Sequence, residues 1–67
     1  MVACVTQDVE LVEAYREAAA EFASVSNLIA ARILHAEPVS KDELTQEREA
    51  RARLLEARKA AFERFLR

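Results

Sequence analysis

The sequence predicts an all-α fold: two helices joined by a tight turn into an antiparallel hairpin. Three observations predict it. Glycine is missing from all 67 residues, and the single proline is Pro38. Ser40 and Glu43 follow at the S-x-x-E spacing of a capping box. Apolar residues on both sides recur at alternating spacings of four and three.

The N-terminal stretch Met1-Val2-Ala3-Cys4-Val5 is a short apolar lead-in. Thr6 or Asp8 is suited to cap the first helix, and Asp8 and Glu10 suit the positive end of its dipole. Leu11, Tyr15, Ala18, Phe22, Val25 and Ile29 then form a heptad seam. A second row, Val12, Ala19, Ser26 and Ile33, lies beside it, and Leu28 flanks the other side. So wide an apolar stripe calls for more than one neighbouring helix. The first helix is expected over about residues 7–36, roughly 45 Å long.

Pro38 disfavours helical geometry at Glu37, so residues 37–40 read as the turn. Ser40 and Glu43 cap the second helix reciprocally, and Val39 and Leu44 occupy the positions of a hydrophobic staple. That helix is expected over about residues 41–66. Its seam reads Leu44, Arg48, Arg51, Leu55, Arg58, Phe62 and Phe65, widened by Leu54, Ala61 and Leu66. Three arginines interrupt it. The pairs Glu47–Arg51, Glu49–Arg53 and Glu63–Arg67 add i,i+4 support on the exposed side. Folding about residue 38 sets position i roughly opposite 76 − i. Phe22 then meets Leu54 and Leu55, Tyr15 meets Ala61 and Phe62, and Ile33 meets Leu44.

Sixty-seven residues allow one domain, and a core this small usually needs reinforcement. Cys4 is the only cysteine, so no disulfide forms within one chain, and one Cys with one His cannot make a structural zinc site. An inert thiol is expected at Cys4. The net charge of −2 predicts no polyanion partner in bulk, but it is unevenly spread. Residues 1–40 carry two basic groups against six acidic ones, and residues 41–67 carry eight basic against six acidic. An acidic first helix therefore lies against a mildly basic second one. No run of 18 apolar residues is present, and the lead-in is too short and lacks the basic start of a signal peptide. The expected compartment is the cytoplasm.

No catalytic set is visible. Glu10, Glu13, Glu17 and Glu21 make an acidic face without the Glu-x-x-His pairs of di-iron bundles, and His35 has no nucleophile at a suggestive spacing. No metal, cofactor or enzymatic activity is expected. The broad apolar first helix exceeds what an arginine-interrupted second helix can cover. The simplest remedy is a second copy, giving a homodimeric four-helix bundle. In form, though in no motif, this resembles small dimeric helical-hairpin bundles such as the RNA-binding Rop-type plasmid regulators.

The function expected is that of a small non-enzymatic protein-interaction or regulatory module. Leu11, Tyr15, Phe22, Val25, Leu28, Ile29, Ile33 and Leu54 are the candidate dimer or partner interface. Arg48, Arg51 and Arg58 are candidate contacts to an anionic partner. Two alternatives stand beside this reading. One is a nucleic-acid-binding regulator using those arginines, disfavoured by the interleaved glutamates. The other is a chaperone-like subunit that completes its bundle with a different helical protein.

Overall fold

The computed structural model describes the backbone of residues 2–66 and the side chains of residues 8–66. Helix α1 spans Val2–Leu34 and helix α2 spans Lys41–Phe65; the two pack against each other as an antiparallel hairpin. The described residues contain no strand. The expected inert thiol at Cys4 and the Glu63–Arg67 pair lie outside the described side chains.

Helix α1 begins before the expected residue 7 and is not capped by Thr6 or Asp8. No glycine or proline interrupts the lead-in, so nothing there stops a helix. Asp8 is engaged instead by Arg64 across the hairpin, Oδ1 lying 2.8 Å from Nε. At its other end α1 stops at Leu34, two residues before the expected boundary. The stop is a Schellman motif. Ala36 N–H donates to Ile33 C=O at 3.1 Å, and Glu37 N–H donates to Arg32 C=O at 2.7 Å. This geometry requires a left-handed residue, and Ala36 supplies it at φ 55. An L-residue with a Cβ costs roughly 1–2 kcal/mol there. Glycine is the usual occupant of the position. Pro38, two residues later, prevents the chain from resuming the helix.

The start of α2 matches expectation. Glu43 N–H donates to Ser40 Oγ at 3.1 Å, while Ser40 N–H donates to Glu43 Oε1 at 3.0 Å. Both halves of the capping box are therefore made.

The contact row of α1 follows the expected heptad: Leu11, Ala18, Phe22, Val25 and Ile29 are covered, and Arg32 extends it. The contact row of α2 does not follow the expected one. Leu44, Arg48, Arg51, Leu55, Arg58, Phe62 and Phe65 are all exposed. The covered residues each stand one position earlier: Glu43, Glu47, Ala50, Leu54, Ala57 and Ala61. One residue is a rotation of about 100° about the helix axis. Two physical terms favour it. Burying three guanidinium groups in a narrow contact carries a large desolvation cost. Alanines at the contact let the helix axes approach closely; Ala50 is only 1% exposed.

The resulting body is a thin slab of 53 × 20 × 13 Å. Its least dimension is about one helix diameter. Among the described residues only Ile29 and Ala50 are fully buried apolar groups. A folded monomer of 7.6 kDa ordinarily exposes about 4,300 Å². This hairpin exposes 5470 Å².

The rotation of α2 is directly testable. Ala50→Leu adds apolar volume at the most buried position of α2, and should destabilise the hairpin by about 1–3 kcal/mol in thermal or urea unfolding. An unchanged or raised stability would show that Ala50 does not lie at the contact.

Candidate interaction surface

Two faces of the slab remain open, and they differ in chemistry. On one, Val12 and Tyr15 of α1 meet Ala61, Phe62 and Phe65 of α2 around a groove of about 280 Å³. Asp8, Val9 and Glu13 extend the groove at the open end, and Leu55, Arg58, Lys59 and Glu63 continue it along α2. Residues seven apart share a helix face. Val12 thus carries Ala19, Ser26 and Ile33 with it, while Phe62 and Phe65 carry Leu55, Arg48, Arg58, Arg51 and Leu44. This face holds a long apolar strip with three arginines set into it. Val12, Leu44, Leu55, Phe62 and Phe65 are each 44–54% exposed.

The opposite face is polar. Arg53 pairs there with Glu21, in a shallow groove shared with Ala14, Glu17, Ala18 and Ala57. Leu28, seven residues after Glu21, stands on this face without an apolar neighbour row.

Three ion pairs between the helices fix how the faces line up. Asp8–Arg64 closes the open end, Glu21–Arg53 the middle and Arg32–Glu43 the turn end. Their register agrees with the expected 76 − i to within a few residues. Two of the three run from an acid on α1 to a base on α2, as the uneven charge predicts. In the Asp8–Arg64 pair, Arg64 Nη2 donates to Oδ2 at 3.3 Å, and the closer Nε–Oδ1 contact acts through charge without an aligned hydrogen bond.

The turn-end pair is the most integrated. Arg32 Nε donates to Glu43 Oε2 at 2.6 Å, and the other oxygen of the same carboxylate serves the capping box. The Ser40 backbone N–H, foremost, and then Arg32 hold the Glu43 carboxyl below its ordinary value of 4.5. The hydrogen bond to Glu43 and its charge raise Arg32 in turn. Glu43 thereby joins the last turn of α1 to the first turn of α2. This link was missed in the sequence. Its signal was an arginine within the last turn of α1 facing the N3 carboxylate across a short turn.

The structure divides the eight expected interface residues. Leu11, Phe22, Val25, Ile29 and Leu54 lie in the contact between α1 and α2, so they hold the hairpin itself together. Tyr15 and Ile33 lie on the open apolar face, and Leu28 lies on the polar one. Leu44, Leu55, Phe62 and Phe65, expected inside the hairpin, line the open face instead. The three arginines lie on that face too. Arg51 pairs with Glu47 at 3.0 Å and sits 5.9 Å from the Phe22 ring centre. Arg58 sits 5.1 Å from the Phe62 ring centre. Arg48 makes no ion pair among the described residues. Such stacking keeps each guanidinium wet while its stem covers apolar surface. No three His, Cys, Asp or Glu side chains converge as a metal ligand set among the described residues. No described helix is long and apolar enough to cross a membrane.

The Glu43 carboxylate gives the turn a defined pH dependence. A carboxyl with a depressed folded-state pKa stabilises fully above its ordinary value, and loses that contribution as pH falls through the depressed value. Glu43→Gln keeps an acceptor for the capping box but removes the charge. Its melting temperature should fall below that of the parent protein at pH 7, and the gap should close as pH drops below about 4.5. A gap that does not change with pH would mean that the charge of Glu43 contributes nothing. No protein-family model, curated protein or solved structure matches the chain, so its functional reading rests on its own residues and geometry.

Proposed function

We propose that this protein is a non-enzymatic helical interaction module that works as a homodimer, two hairpins joining through their apolar faces into a four-helix bundle. One observation carries the reading: an apolar face, interrupted by three arginines, remains uncovered on a slab that is one helix thick. The exposed surface exceeds that of an ordinary folded monomer of this mass by about 1,200 Å². A standard interface covers roughly 800 Å² per partner, so a second hairpin would absorb about two-thirds of the excess. A four-helix bundle is a common way to cover the open side of two amphipathic helices, and a two-fold dimer is the commonest assembly that supplies it.

Sedimentation equilibrium at micromolar concentration tests this. The parent protein should sediment at twice 7.6 kDa. Phe62→Asp should weaken the dimer by roughly 30-fold, the effect of losing about 2 kcal/mol at a hot spot. Leu28→Asp, on the polar face, should leave it nearly unchanged. A parent protein that unfolds cooperatively as a stable monomer would overturn the reading. Co-purification with a different helical protein in place of self-association would move it to a heteromeric bundle.

The outward placement of Arg48, Arg51 and Arg58 favours a second reading, in which the face binds nucleic acid. Phosphate contacts of this kind weaken steeply with salt. On this reading, retention on RNA or duplex DNA at low salt falls as salt rises and is lost on replacing the three arginines together. Absence of retention at low salt removes it.

A further inference from the structure

The open face also constrains how two copies would sit on each other, an inference that rests on the self-association proposed above. Two hairpins stacked face to face with two-fold symmetry have two arrangements. With the turns at the same end, each α2 lies over α1 of the second copy. With the turns at opposite ends, α1 lies over α1 and α2 over α2.

Charge separates the two. On the open face α2 presents Arg48, Arg51 and Arg58, and its face row Leu44–Phe65 contains no acid. Stacking α2 on α2 brings two such sets together, like charge on like charge, in a contact that excludes water. Stacking α2 on α1 instead sets that row over Ala19, Ala23, Ser26 and Ala30, with Arg16 the one basic residue beside them. At the open end, Arg58 and Lys59 then come near Glu13 of the second copy, which borders the same face beside Val12 and is paired at 3.7 Å with Arg16 of its own helix.

Size agrees with charge. The α2 row is bulky throughout, whereas the middle of the α1 row is Ala19, Ala23, Ser26 and Ala30. Bulky residues over small ones fill the layer between helices, while two bulky rows hold the bundle open on one side and two small rows leave a gap on the other. Packing at native density disfavours that mismatch.

We infer that the two hairpins of the dimer lie with their turns at the same end, the arginine-bearing row of α2 packed on the small-residue row of α1 of the second copy.

Pulsed electron–electron spin resonance on full-length chains distinguishes the arrangements. Cys4→Ser removes the native thiol, and Lys41→Cys or Glu63→Cys places one nitroxide near the turn or near the open end, both at exposed positions. Sedimentation of each labelled sample is measured in parallel. The same-end arrangement gives a 41-to-41 distance within about 25 Å, from helix spacings of 8–10 Å plus the label arms. Mixing the two labelled chains then gives a 41-to-63 distance of about 35 Å, from 1.5 Å per residue. The opposite-end arrangement exchanges these two results, and would overturn the inference while leaving self-association intact. A parent protein that sediments as a monomer would overturn the homodimer itself, and the inference with it.

Discussion

The rotation of α2 about its own axis sets nearly everything else in this structure. Its sequence carries two adjacent rows with helical spacing, and only one of them can face α1. The bulky row contains Leu44, Leu55, Phe62 and Phe65 but also three arginines. The thinner row contains Ala50, Leu54, Ala57 and Ala61. Apolar area alone favours the bulky row. Two further terms oppose it: the desolvation of three guanidinium groups, and the wider axis separation that large side chains impose. The alanine row wins, and the larger apolar surface is left outside.

That outcome explains why the hairpin buries so little surface. A contact lined by alanine gives close approach but buries little area per residue. Only about half of the extended chain's surface is removed from water, against about 60% for a domain of this size. The ion pairs Asp8–Arg64 and Glu21–Arg53 orient the helices without supplying the shortfall, because pairs this exposed contribute little. The aromatic groove at the open end and the leucine strip along α2 are where the missing burial is available.

At the turn, one carboxylate performs two tasks. Glu43 closes the capping box of α2 and receives Arg32 from α1. The chain reverses through Ala36, a left-handed residue with a Cβ, whose local cost the surrounding bonds must offset. Coupling the cap to the cross-turn pair resists both fraying of α2 and splaying of the helices. The direction in which the open face points therefore depends on a residue that does not belong to it.

The sequence by itself determined the two helices, the turn between them and their approximate register. Pro38, the Ser40–Glu43 box and the lack of glycine act through local geometry, which short stretches of chain encode fully. The seam of α1 was legible because its apolar residues recur without interruption from Leu11 to Ile29. The acidic-to-basic pairing was legible from charge alone. What the tertiary structure decided was which row of α2 turns inward, and hence which residues form the candidate surface. Leu54 and Phe22 meet inside the hairpin, as folding about residue 38 predicts, whereas Phe62 and Leu55, expected inside, are exposed. Periodicity cannot separate rows one residue apart, since both satisfy the same spacing. The choice depends on axis separation and on desolvation of arginine, quantities that exist only once two helices are placed together.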